Sequence, residues 1–208
     1  MKSTKLIGAL ALALGLSTAA SAQVQVGVQG SYLKGTGDND RSIWGGGVHA
    51  KFFLGDNIAL GGIFRTYPKK SSEYTVGNYT VRNADLLNNV MGTLDFLVGK
   101  AGSPVRPFIG VDAGVSMSSN TTLITTNSTT TYNDKNKQTF FIAAPKVGLN
   151  FELGKAFGIF GQAQYNLTFG DGNSKNANIP GINNNSTKPV DKFFTFDAGV
   201  FFRLSAAK

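Results

Sequence analysis

From Phe141 towards the C-terminus, large apolar residues occupy every second position, and the phase of that alternation changes only at turns. Phe141, Ala143, Pro145, Val147, Leu149, Phe151 and Leu153 alternate with Ile142, Ala144, Lys146, Gly148, Asn150 and Glu152. After a short break, Phe157, Ile159, Gly161, Ala163, Tyr165, Leu167 and Phe169 alternate with Gly158, Phe160, Gln162, Gln164, Asn166 and Thr168. A period of two is the mark of a β-strand, whose successive side chains point to opposite faces. A strand with one greasy and one polar face must set each face in a different medium. The medium that meets the greasy face decides what such a chain can become.

The N-terminus narrows the choice. Lys2 and Lys5 precede an apolar run from Leu6 to Leu16, and Ala20-Ser21-Ala22 precedes Gln23. A charged start, a short apolar stretch and a small-x-small site read as a secretory signal peptide over residues 1–22. The apolar run is too short to cross a bilayer, and no later stretch resembles a membrane helix. Residues 23–208 then read as one domain. Loss of Lys2 and Lys5 takes the net charge from +8 to +6. With no cysteine, the chain has neither a disulfide nor a thiolate metal site. Twenty-six glycines, sixteen phenylalanines and only 15% charged residues favour strands and turns over helices.

Phase places eight strands, at about 23–34, 42–54, 58–67, 85–98, 108–117, 141–153, 157–169 and 192–204. In the second, Trp44, Val48, Ala50, Phe52 and Leu54 oppose Gly45, Gly47, His49 and Lys51. In the eighth, Phe194, Phe196, Ala198, Val200, Phe202 and Leu204 oppose Thr195, Asp197, Gly199 and Arg203. Shorter connections (55–57, 99–107 and 154–156) alternate strictly with longer ones (35–41, 68–84, 118–138 and 170–191). In an up-and-down sheet every longer connection then lies at one end, and both termini lie at the other with the short turns. That asymmetry is the habit of transmembrane β-barrels. A spanning sheet must also close on itself, because lipid offers unpaired backbone groups no partner. Each strand has the roughly 9–11 residues that a tilted strand needs to cross.

A lipocalin-like soluble barrel would turn the same apolar face inward around a ligand. Its outer face would then be glycine-rich and carry only Lys51, Arg65, Lys146 and Arg203 against Asp95, Asp112, Glu152 and Asp197. Four charges of each sign suit a closed interior, where each ion needs a partner. The membrane arrangement is therefore expected, with these eight residues as structural charges inside the barrel.

On these strands, connections and signal peptide, the chain resembles the small eight-stranded outer-membrane β-barrel family, the group containing outer membrane proteins A and X. The resemblance covers residues 23–208 and rests on pattern. It implies an integral protein of a Gram-negative outer membrane, with long loops outside and turns in the periplasm. The chain departs from the family at its end, where Arg203 to Lys208 follow Phe202 instead of a terminal aromatic residue. Pro145 lies within a strand, removes one ladder bond and predicts a bulge.

The loops hold polar tracts at 118–122, 125–131 and 183–187, too poor in apolar residues to fold alone and expected to be mobile. Arg41, Lys69, Lys70, Arg82, Lys135, Lys137, Lys175 and Lys188 could meet lipopolysaccharide phosphates, but a solvated loop in which they mix with Asp38, Asp40, Glu73, Asp134 and Asp171 is the favoured reading. The sole histidine, His49, falls inside the barrel, where a lone imidazole more often joins a polar network than acts as a base. No serine lies within two residues of it, although Ser42 is near in sequence and Ser31 could sit on the neighbouring strand. No phosphate-binding or metal-ligand motif appears, and scattered positive charge argues against nucleic acid. The expectation is a non-enzymatic, cofactor-free monomer in outer-membrane lipid and lipopolysaccharide, with a structural or surface-interaction role through its long loops. A porin-like channel for small solutes is the alternative, ahead of a lipid-modifying enzyme or a lipocalin-like binder.

Overall fold

Backbone pairing in this chain runs in a complete circle. The computed structural model describes residues 23–36, 42–68, 72–126, 129–154, 156–169 and 192–204, and it holds nine strands. They are β1 (Val24–Gly35), β2 (Ser42–Leu54), β3 (Ile58–Pro68), β4 (Ser72–Val76), β5 (Tyr79–Leu97), β6 (Val105–Thr126), β7 (Thr129–Glu152), β8 (Phe157–Phe169) and β9 (Lys192–Leu204). All pairings are antiparallel, β1 lies between β2 and β9, and β3 pairs with β5. Eight strands thus form a closed barrel, and β4 is an extra strand laid against the far end of β5.

The register sets the tilt. A path through paired residues from Val26 on β1 passes Ala50, Gly62, Gly92, Ala113, Ala143 and Leu167 before reaching Lys192 on β9. The Lys192 carbonyl accepts from the Thr36 amide at 3.4 Å, so the circuit returns to β1 ten residues further along, at 36 instead of 26. A stagger of that size on eight strands corresponds to a tilt of about 40°.

The two faces follow the phase of the sequence. Outward are Val28, Val48, Phe52, Phe64, Leu94, Ile109, Val147 and Phe196, all exposed. Aromatic residues gather near both ends of this belt. Tyr32 and Trp44 lie 4.9 Å apart towards the long-loop end, and Phe157 and Phe202 lie 5.3 Å apart near the short turns. An apolar band between aromatic girdles is the surface of a barrel immersed in lipid. Short turns at 55–57, 98–104 and 153–156 share one end with both ends of the described chain. Gly55 allows the tightest of them, because its φ of +70° is a conformation that side chains resist.

Three strands outrun their sequence-based limits. The fourth, fifth and sixth barrel strands were expected over 85–98, 108–117 and 141–153, and they occupy Tyr79–Leu97, Val105–Thr126 and Thr129–Glu152. The polar tract 118–122 and the parts of 125–131 within the described residues are strand instead of mobile loop. Pairing carries on where apolar alternation stops, since above a membrane both faces of a strand can be polar. Threonine, abundant in this segment, suits extended backbone.

Pro145 makes no bulge. The β7–β8 ladder skips Ala144 and Pro145 and resumes in the same register, whereas the one shift between β6 and β7 lies at Ile124/Thr125. The missing N–H costs local ladder bonds without inserting a residue. The expected signal peptide (1–22), the tract 183–187, Arg41, Lys69, Lys70, Lys175, Lys188, Asp38, Asp40, Asp171 and the tail 205–208 lie outside the described residues.

Trp44, the only tryptophan, is 72% exposed on the outward face. Refolded into vesicles, its fluorescence should shift to the blue and be quenched most strongly by lipids brominated near the headgroup. Indifference of the emission to brominated lipid would restore the soluble-barrel alternative.

Candidate functional site

An eight-stranded barrel is only wide enough for its own side chains to fill it. Ions drawn into that space lose water and must find each other. Lys51, Arg65, Asp95, Asp112, Lys146, Glu152, Asp197 and Arg203 all point inside, and they form two groups.

The central group crosses the barrel axis. Arg65 on β3 donates to Asp197 on β9, three strands away, at 2.9 Å, and approaches Asp112 on β6 at 3.4 Å. Lys146 on β7 contacts Asp112 at 2.5 Å and Asp95 on β5 at 2.7 Å, and it also donates to the Thr93 hydroxyl. Lys51 on β2 completes the chain at 2.7 Å from Asp95. Neutral donors fill the remaining carboxylate positions. Ser31 and Gln162 reach Asp197 at 2.5 and 2.7 Å, and Gln164 reaches Asp112 at 2.5 Å. Every barrel strand contributes a side chain to this network, and Arg65 and Asp112 are each 0% exposed.

The second group lies near the short turns. Glu152 accepts from Arg203 at 2.9 Å and faces Arg106 at 3.7 Å, and Arg106 also donates to the Asp56 carbonyl. Phe53, Ala59, Leu97 and Phe108 pack beside them, with the Arg203 guanidinium 4.8 Å from the Phe53 ring centre. At the long-loop end, Leu33, Ile63, Tyr67, Met91, Ile142 and Phe193 make an apolar layer over the central ions. The interior is therefore layered, with charge held between two apolar caps.

Arg106 is the interior charge that the sequence reading passed over, and it makes five cations against four acids. Its signal was present, because Arg106, Phe108, Gly110 and Asp112 keep one parity. Starting the fifth strand at Phe108 hid it. The apolar caps were equally hidden, since their phenylalanines Phe53, Phe108 and Phe193 keep the parity of the polar face. Gly110 shows how tightly the network is fitted: a Cβ there would meet the Asp95 carboxylate and the Lys146 chain. His49 sits between two glutamines, 3.4 Å from Gln25 Nε2 and from Gln29 Oε1, with its ring edge-on to Phe160. These contacts fit a ring protonated at Nδ1. The Ser31 hydroxyl is turned instead to Asp197.

A second feature stands beyond the rim. β3 leaves β5 at Leu86, and β8 leaves β7 at Phe141, yet β5, β6 and β7 continue paired to Tyr79, Thr126 and Thr129. With β4 they form a four-stranded sheet above the barrel. One register row across it reads Tyr74, Val81, Ile124, Tyr132, and Val81 is buried. Arg82 and Glu73 pair at 2.6 Å on the opposite, solvated side, and Tyr79 is exposed at the hairpin turn. Lys137, one of the loop cations of the sequence analysis, is an exposed residue of β7, and Lys135 and Asp134 belong to the same strand.

Comparison with solved structures gives the same architecture. The attachment invasion locus protein Ail of Yersinia pestis, crystallised with the heparin analogue sucrose octasulfate, superposes with a TM-score of 0.53 at 14% identity, over 88% of this chain and 98% of that one. A major outer membrane protein of Thermus thermophilus gives a TM-score of 0.51 at 12% identity, over 88% and 99% of the two chains. No family model matches the chain, and no curated protein sequence matches it. At these identities the likeness is one of fold, and the fold is that of the small eight-stranded outer-membrane barrels.

Two substitutions probe the interior. Asp112→Asn leaves Arg65 and Lys146 without a shared counter-ion and should destabilise the refolded barrel by about 3 kcal/mol, read as a lower urea midpoint in micelles. Gly110→Ala should lower the midpoint by about 1–3 kcal/mol through overpacking.

Proposed function

We propose that this chain is an integral outer-membrane protein that works at the cell surface, recognising a ligand with the sheet above the rim while its ion-paired interior holds the barrel closed. One observation carries this reading. The β6–β7 hairpin is paired from Val105↔Phe151 to Thr126↔Thr129, about twice the length a crossing needs. A paired sheet is a preorganised surface, and ligand binding to it costs less ordering entropy than binding to a flexible loop. It is rich in Thr, Ser, Asn and Tyr, residues that supply adaptable hydrogen bonds and rigid amphipathic rings at recognition surfaces. Short turns belong to the periplasm in such barrels, which puts the sheet outside. The interior ions are structural in this reading: Arg65 and Lys146 are committed to carboxylates across the axis and cannot swing aside without leaving a buried charge unpaired.

The test joins Met117 to Thr139, which are paired partners, through an Asn-Gly turn that removes the protruding hairpin. Full-length and shortened chains are displayed on a Gram-negative host and exposed to immobilised heparin, to mammalian cell monolayers and to other bacterial cells. Heparin is included because Ail was crystallised with an analogue of it. The full chain should bind at least one of these, and the shortened chain should lose at least tenfold of that binding while keeping heat-modifiable migration. Equal binding by both chains, or binding by neither, refutes the proposal. In planar bilayers the refolded chain should give no steady openings of porin size. Such openings would favour the solute-channel alternative.

A further inference from the structure

Inside the barrel, beside the short turns, two arginines share one acid. Arg203 on β9 donates to Glu152 Oε1 on β7 at 2.9 Å, and Arg106 on β6 stands 3.7 Å from that same oxygen. The central network is balanced, with Lys51, Arg65 and Lys146 set against Asp95, Asp112 and Asp197. Among the described residues, the surplus cation of the interior therefore falls wholly on the group of Arg106, Arg203 and Glu152. Asp56 gives Arg106 only its backbone carbonyl, and the residue itself is exposed in the turn.

Hydrogen bonding at this group is also incomplete. Arg203 Nε, Arg203 Nη2 and Arg106 Nε are buried without an acceptor among the described residues. Arg106 is 1% exposed and Arg203 7%. The ring centres of Phe53 and Phe201 lie 4.8 and 5.7 Å from the Arg203 guanidinium carbon. Ring contacts offset part of the cost of a buried cation, but they leave those three nitrogens without an acceptor. In apolar surroundings a charge that is not neutralised is costly. Water could accept from the N–H groups, yet it brings no charge. An anion does both. A single negative charge cancels the surplus, whereas a divalent ion would reverse it.

We propose that Arg106 and Arg203, with Glu152 between them, form a binding site for one small monovalent anion of the chloride type, reached from the short-turn end of the barrel. The ion accepts hydrogen bonds from the guanidinium edges and ties β6 to β9, which do not pair with one another. It lies at the opposite end of the barrel from the sheet proposed to recognise a surface ligand, so either proposal can fail alone.

The test unfolds the full barrel with urea in zwitterionic micelles, in sodium chloride or in sodium gluconate at matched ionic strength. The midpoint should rise saturably with chloride above its gluconate value, because a ligand that binds only the folded chain stabilises it by mass action. Arg106→Gln and Arg203→Gln each leave one cation facing Glu152. Each should abolish the difference between the two salts, whatever it does to the midpoint itself. Lys100→Gln, a charge change in the 98–104 turn, should leave that difference intact. Crystals of the unmodified barrel grown in sodium bromide should show an anomalous scattering peak against both guanidinium groups, a readout that stands even where a variant fails to fold. Equal midpoints in chloride and gluconate overturn the site, as does a chloride effect kept by either folded arginine variant. A bromide map with no peak at the two arginines overturns it as well.

Discussion

In hydrocarbon, a backbone N–H or C=O without a partner costs several kcal/mol, and a sheet with an edge has a whole row of them. The rest of this structure depends on that penalty. It requires β1 to meet β9 and β3 to meet β5, so that the last edges vanish within the belt. Closure at eight strands leaves a narrow interior, and the narrow interior brings side chains from strands far apart in sequence into direct contact. Arg65 and Asp197, 132 positions apart, are such a pair.

The interior charges follow from closure and do not cause it. Alternation sends Lys51, Arg65, Asp95, Asp112, Lys146 and Asp197 inward because the other face must meet lipid. Once inside, each ion is stabilised only by its neighbours, and the observed distances of 2.5–3.4 Å supply them. A network spanning all the barrel strands links their positions, so a change at one register is felt by several others. Apolar layers above and below deepen the effect by keeping water from the ions.

The same penalty has a limit, and β5, β6 and β7 show where it lies. Beyond the belt water can satisfy a sheet edge, and among the described residues β5, β6 and β7 continue past the last pairs made by β3 and β8. Ordered structure thereby projects from the membrane without apolar alternation to announce it. Sequence periodicity recovered every barrel strand and its facing, because each buries one face and exposes the other to lipid. Strands beyond the belt present no face to lipid and leave no such trace. For that reason 118–126 and 129–138 read as loop, and β4 was missed altogether. Arg106 escaped for a smaller reason: the fifth strand was started at Phe108, two residues after it.

The sequence by itself determined the period, the count of barrel strands, the alternation of long and short connections and the inward facing of eight charges. Those are properties of residues taken one strand at a time, set by whether each side chain prefers lipid or a polar interior. Tertiary structure alone decided which ions meet, that Arg106 joins them, and that polar segments outside the membrane form a sheet. Pairing across the barrel depends on stagger and tilt, which arise only when the eight strands close. Extension past the rim depends on backbone hydrogen bonds, which every residue can make and no side-chain pattern records.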